Sequence, residues 1–426
     1  MNKLLLTTAA VTIAAFSATS TAAQYVPGRD SKPIVVEVPN KYPDEAKPED
    51  KKAEAEKPGI KLSKKASKAI IELETAVKAN DVANIPAKLA AAQAVAETAE
   101  DRYAIGTMQL KVAQAAKNSE AAVLAADYLA SANYLPKNQI AGLYNSLGID
   151  FFNAKSTARA TAMFQKALAL DPNNAESLRL LGETQNSSGN SADAVASFQK
   201  AMQQAAASGQ KLPEQAYERA VSVAYGAKSP SAVDISRQWV AAYPSTNSWS
   251  NAIAIYRNMM RPDVEGTLDL LRLMRAANAL QNSADYTLYA TAASEQGNYN
   301  EAQSVIDEGI ANKKLDPTNA LARDIIKGLK GKPKATPADL ESAAKNAKTG
   351  RSMITVGSRF YGTGEYARAA TLYRSAVAAG GDTGLANLHL GMALARSGDK
   401  AGAAAALNAV SGEYAPIAKY WLVLVQ

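Results

Sequence analysis

The chain has 426 residues, 47 of them Lys or Arg and 40 Asp or Glu, for a formal net charge of +7; 47% are apolar and 6% aromatic. That length suits two or three ordinary domains or one long repeat array. No cysteine is present, which excludes disulfides, thiolate metal sites, cysteine nucleophiles and a lipidated cysteine anchor. The slight positive excess comes without a Lys/Arg run interleaved with aromatics, so nucleic acid is not the expected partner.

Residues 1–23 begin with Lys3, continue through the apolar run Leu4 to Phe16 and end on Thr21-Ala22-Ala23. A charge, a short apolar core and small terminal residues make a signal peptide, with cleavage expected after Ala23. An uncleaved anchor is the competing reading, but the run is short for a bilayer. The style is bacterial, which predicts a periplasmic or secreted mature chain and no integral membrane segment. Residues 24–61 are rich in Pro, Lys and Glu, and read as a disordered tether. Ile34 to Val38 form an apolar island within it, either a chance cluster or a short strand able to pair with a partner's sheet edge.

From Leu62 onward apolar residues recur at three- and four-residue spacing, broken at Gly, Asn, Asp and Pro, so helices are expected almost throughout. Residues 62–140 read as divergent helical hairpins. Within 141–327 the clearest units lie at 141–208, with degenerate ones following: Trp239 and Pro244 mark a second helix, Trp249 and Tyr256 a first. Residues 328–340 form a Gly/Pro/Lys-rich stretch, either a joint between subarrays or a long turn. Residues 341–426 hold two more units and an apolar C-terminal segment in which Trp421 and Leu422 should pack inward as a cap.

A fixed period runs through this pattern. Ala160 and Ala194, Phe164 and Phe198, and Gly148 and Gly182 are each 34 residues apart, as are Gly357 and Gly391, Gly364 and Gly398, and Ala369 and Ala403. Gly297 followed by Ala302 repeats the same turn between them. Small residues let paired helices approach, Phe164 should fill the space against the next repeat, Gly189 and Gly398 permit positive φ, and Asp171-Pro172 ends a helix.

These positions resemble the tetratricopeptide repeat family. The first unit supplies Tyr144, Leu147, Gly148, Phe151, Ala160, Phe164, Ala167 and Pro172, and the second Leu178, Leu181, Gly182, Ala194, Phe198 and Ala201. Late units supply Gly357, Phe360, Ala369, Tyr373 and Ala376, then Leu390, Gly391, Leu394, Ala403 and Leu407. The resemblance implies an all-α, right-handed superhelical solenoid of antiparallel helix pairs, with first helices lining the concave surface. Carried over, the groove positions include Asn145, Ile149 and Phe152; Glu176, Arg179, Glu183 and Asn186; Arg351, Ile354, Ser358 and Tyr361; and Leu385, Leu388 and Met392. The Lys/Asn set with which some members hold a peptide's terminal carboxylate is absent as a set, and Asn145 alone matches it.

Catalytic signatures are lacking. The only histidine is His389, expected as a packed or groove-edge helix residue. No nucleophile elbow, phosphate loop, calcium loop or zinc pattern occurs, and no cofactor or metal is expected. Carboxylates are scattered on what should be solvated faces. In the phase of the repeat, Gln165 and Lys166 should face solvent. The sequence therefore predicts a non-catalytic scaffold for protein or peptide partners in the cell envelope, with acidic polysaccharide or cell wall as the alternative ligand and a carboxylate-dependent glycan-cleaving enzyme as a remote third.

Overall fold

The computed structural model describes residues 23–24, 34–35, 60–380 and 382–426. Nearly all of the expected signal peptide and of the expected tether lies outside the described residues. Two short strands, β1 (Ala23–Gln24) and β2 (Ile34–Val35), pair antiparallel with Ala23 opposite Val35. Twenty-one α-helices make up nearly all the remaining described structure, an all-α stack of antiparallel helix pairs. They group into two compact units, ending and starting at Leu212 and Pro213.

The first unit contains α1 (Lys64–Lys78), α2 (Ile85–Ala94), α3 (Ala99–Ala115), α4 (Ser119–Ala132), α5 (Lys137–Asn153), α6 (Thr157–Leu170), α7 (Ala175–Ser187) and α8 (Ser191–Ala207). Capping sets several boundaries. Thr98 and Asp101 form a reciprocal capping box at α3. The fully buried Asp101 also accepts from the Ser63 N–H at 2.9 Å and the Glu97 N–H at 3.0 Å, which ties the start of α1 to that of α3. Burial pushes this carboxyl upward, but the N–H donors of Ser63, Thr98 and Glu97 outweigh it and hold it below the usual aspartate range.

The repeated glycines have a steric explanation. A Cβ on Gly148 would lie 2.6 Å from the Phe164 ring, one on Gly357 2.6 Å from Tyr373, and one on Gly391 2.5 Å from Leu407; Gly182 is opposed by Phe198 at 3.1 Å. Each large side chain thus sits on the glycine of its own hairpin. Phe164 is also fully buried, in one core with Leu181 of the next repeat. Lys166 departs from expectation. It is half-buried, pairs with Asp127 of α4 and lies 5.3 Å from the Tyr144 ring centre, while Tyr144 donates to the same carboxylate at 2.7 Å. Gln165 is exposed.

The second unit contains α9 (Glu214–Gly226), α10 (Ser231–Ala242), α11 (Thr246–Met260), α12 (Val264–Ala276), α13 (Ser283–Glu295), α14 (Tyr299–Ala311), α15 (Ala320–Lys330), α16 (Pro337–Asn346), α17 (Gly350–Gly362), α18 (Tyr366–Ala378), α19 (Thr383–Ser397), α20 (Lys400–Asn408) and α21 (Ala415–Val425). Residues 328–340 are a helix end, a loop and a helix start. The Asn300 amide pins that loop by donating to the Ala335 carbonyl and accepting from its N–H, each at 3.0 Å, and Leu329 and Leu340 on either side are buried. It is an anchored turn inside one unit.

Two helices give this unit its core. In α12 Leu268 through Met274 are all buried, so the helix is enclosed on every side. Helix α21 buries Trp421 completely, while Leu422 is only partly covered. Its Tyr420 hydroxyl donates to the Val233 carbonyl of α10 at 2.9 Å and lies 2.9 Å from the Ser236 hydroxyl. The C-terminal segment therefore packs against α10 and α12 as well as α19 and α20, a wider role than a cap on the last pair.

Candidate functional site

The expected groove residues of the first unit lie on the neighbouring first helices α5 and α7. Ile149 is 39% exposed and Glu176 is exposed, while Asn145, Phe152, Arg179, Glu183 and Asn186 are partly buried. The Asn145 amide donates to the Ser177 hydroxyl of α7 at 2.7 Å, and Ser177 donates to Asn174 Oδ1 at 2.9 Å. Asn145 is thus engaged in joining consecutive pairs. Arg179 holds Glu176 through two parallel bonds of 2.8 and 2.6 Å, the planar fork matched to a carboxylate. Phe152 packs at the edge of the core built from α3 to α7. The face that remains combines apolar Ile149 with a locally neutralised ion pair.

The corresponding positions in the second unit are different. Arg351 is exposed on α17. Tyr361 and Met392, expected in the groove, are buried, as are Ile354, Ser358, Leu385 and Leu388. These expectations are corrected. In this unit α14 and α16 pack against α17, α21 packs against α19, and Arg272 of α12 covers the Tyr361 ring.

What lies beneath them is a buried charge network that the sequence did not announce. Arg272 on α12 donates to Glu301 on α14 through Nε at 2.9 Å and through its terminal nitrogen at 2.6 Å, and to Asp269 at 3.2 Å. The Tyr289 hydroxyl donates to the same Glu301 at 2.8 Å, and the Arg272 guanidinium stacks 4.7 Å from the Tyr361 ring centre. His389 on α19 places Nε2 2.9 Å from Asp269 Oδ2 and its ring 5.3 Å from that of Tyr373. A carboxylate only accepts, so the proton is on Nε2; Nδ1 is buried without a partner. Asp269, Arg272, Glu301 and His389 are each at most 2% exposed.

Electrostatics account for the ionisation states. Burial works against the Arg272 cation, but Glu301 and Asp269 outweigh it and hold the group well above the ordinary arginine value. Burial first, then the Glu301 charge, pushes the Tyr289 hydroxyl well up. Both Glu301 oxygens are occupied, Arg272 spans two carboxylates and all four charged members are buried. The network joins α12, α13, α14 and α19. Of the two positions expected for His389, packed or at the groove edge, the structure shows the packed one. The network's sequence signal was the segment LDLLRLM, in which Asp269 and Arg272 stand three apart in an otherwise apolar run. Among the described residues no group of three or more His, Cys, Asp and Glu side chains is arranged to hold a metal ion.

Two family models, both described as tetratricopeptide repeat, match residues 163–196 and 357–416. No curated protein matches the sequence. Among solved structures, the chain is similar to that of Naa15/Naa10 bound to HypK-THB, at 12% identity over 81% of this chain and 57% of that one with a TM-score of 0.31. It is also similar to a tetratricopeptide repeat protein from Parabacteroides merdae, at 13% identity over 78% and 100% with a TM-score of 0.25. A third is the P58(IPK) TPR domain, at 12% identity over 85% and 97% with a TM-score of 0.22. The chain spans little more than half the length of the first of these. The period of 34, the glycine–large-side-chain pairs built on it and the two family matches show that this chain carries tetratricopeptide repeats.

Proposed function

We propose that the protein is a non-catalytic scaffold of the bacterial cell envelope that docks protein or peptide segments on the α5/α7 face of its first unit. The observation carrying this reading is the contrast between equivalent registers: Ile149 and Glu176 reach solvent, whereas Tyr361, Met392, Leu385 and Leu388 are consumed by the second unit's own core. Docking would be noncovalent. Ile149 and the flank of Phe152 would supply apolar contact, with the Glu176–Arg179 pair and Glu183 setting register at the rim. The N-terminal pattern of Lys3, apolar run and Thr21-Ala22-Ala23 supports export, and among the described residues no helix is long and apolar enough to cross a membrane. The excess of Lys and Arg favours a second reading, in which acidic polysaccharide or cell wall is the ligand.

Site-specific photo-crosslinking in cells tests this. A crosslinker at position 149 or 183 should capture one defined partner segment, and one at exposed Gln165 should not. The protein's own mature chain should begin at Gln24. Equal capture from position 165 would remove the docking face, and an intact Met1 would remove the export.

A further inference from the structure

A cavity of about 260 Å³ opens where the α13–α14 turn, the first turn of α14, the loop before α16 and α17 meet. Four features of its wall point to a ligand. Asn298, the residue before α14, is only 5% exposed, its side chain makes no cap hydrogen bond, and its amide has no partner among the described residues although it lines the cavity. The N–H groups of the first turn of the 13-residue α14 border the same space with no side chain capping them, which favours an anion there. Arg359 and Lys334 both line it, and neither carries an ion pair among the described residues. Asp339 lines it too, with Oδ2 taken by the Thr336 N–H at 2.9 Å and the Thr336 hydroxyl at 2.7 Å, and with Oδ1 left without a partner.

Glu301 also borders the cavity, but Arg272 and Tyr289 occupy its carboxylate from the core side. The wall therefore offers two cations, a helix N-terminus and an amide on the one hand, and one carboxylate acceptor on the other. We propose that this cavity binds a small hydroxylated carboxylate, of the sugar-acid or hydroxy-acid class. The carboxylate lies against Arg359, Lys334 and the start of α14. A hydroxyl group donates to Asp339 Oδ1, and Asn298 completes the polar contacts. A dianion such as phosphate meets repulsion from Asp339; a neutral sugar leaves both cations unused. The volume is below the roughly 300–1,000 Å³ usual for larger organic ligands, so one sugar-acid unit is the fitting size. The loop carrying Lys334 is held in place by the two bonds between Asn300 and Ala335, so the site is formed in advance of binding.

Titration calorimetry of the full chain with sodium galacturonate at low ionic strength provides the test, with galactose and inorganic phosphate as comparators. One equivalent of galacturonate should bind, and galactose and phosphate should bind at least about tenfold more weakly, the effect of one charge-assisted contact. Arg359→Gln removes an exposed side chain, so circular dichroism should be unchanged while galacturonate affinity falls at least about tenfold. Asn298→Asp keeps a residue suited to the start of a helix and places a negative charge in the cavity, and should weaken binding as well. A galacturonate oligomer that binds more tightly than the monomer assigns the carboxylate to a polymer; equal affinity assigns it to a free acid. Equal binding of galactose, tighter binding of phosphate, or unchanged affinity in Arg359→Gln overturns the proposal. None of these outcomes bears on docking at Ile149, which belongs to the other unit.

Discussion

Arg272 is a cation removed from water, and everything around it is arranged to make that tolerable. Glu301 meets it with two oxygens, Asp269 with one, and the Tyr361 ring covers its face. The cost of desolvating such a group is recovered only while the partners remain, which makes the network asymmetric: losing one member hurts far more than the intact pair helps. Glu301→Ala should leave the guanidinium buried with one carboxylate shared with His389, and should lower unfolding stability by about 3–5 kcal/mol in urea titration. Arg351→Ala, on the exposed side of α17, should change it by less than about 0.5 kcal/mol. A Glu301 variant as stable as the parent would mean that the cluster is open to water. This cluster is also where the sequence was least legible. Asp269 and His389 are 120 residues apart, and helical periodicity carries no information about partners at that separation. A lone histidine read against its own helix looks like a surface or packing residue; only the unusual pair of charges within LDLLRLM hinted that α12 was enclosed.

At the level of the helix pair, the repeat was legible because its requirement is local. Two helices joined by a short turn come close only where one of them lacks a side chain, and the facing helix fills that notch with a large one. Gly148 with Phe164, Gly182 with Phe198, Gly357 with Tyr373 and Gly391 with Leu407 are one device used four times. Its periodicity therefore appears in the sequence without any knowledge of tertiary structure. The degenerate pairs α9/α10 and α11/α12 substitute other buried aromatics, Tyr217, Trp239, Trp249 and Tyr256, and the period fades there although the hairpins persist. The notch makes a coupled prediction. Gly148→Ala pushes a Cβ into the Phe164 ring and should cost about 1–3 kcal/mol by overpacking. Phe164→Ala leaves a cavity and should cost about 3–5 kcal/mol. Since the first change fills part of the space the second empties, the double variant should lose less than the sum of the two by at least about 0.5 kcal/mol. Strict additivity in a double-mutant cycle would show that the ring does not sit on the glycine.

On the scale of the whole chain, the question is which force brings a partner. The net charge of +7 comes from 47 cations against 40 anions, so any attraction to an acidic polymer is a diffuse field, weakened beyond about 8–10 Å at physiological salt. The face on α5 and α7 has a different character. Its Arg179–Glu176 contact is closed within α7, and its most exposed large apolar side chain is Ile149. The sequence located that face through the family register but placed equal weight on the second unit. It could not foresee that neighbouring helices would cover the equivalent positions there, because such contacts join distant segments: α21 reaches α10 through Tyr420 and Ser236, 184 residues apart. The two forces separate in a salt titration. A segment docked mainly through apolar contact should lose less than about fivefold in affinity between low and physiological ionic strength, the weight of one exposed ion pair at about 1 kcal/mol. Ile149→Asp should abolish that binding while leaving the salt response of any glycan binding untouched. An acidic glycan drawn by the overall field should lose affinity steeply over the same range and ignore Ile149→Asp. If the partner captured through α5 and α7 behaves like the glycan in both respects, charge rather than the repeat face selects it, and the proposed role moves from docking peptides to holding acidic polymer.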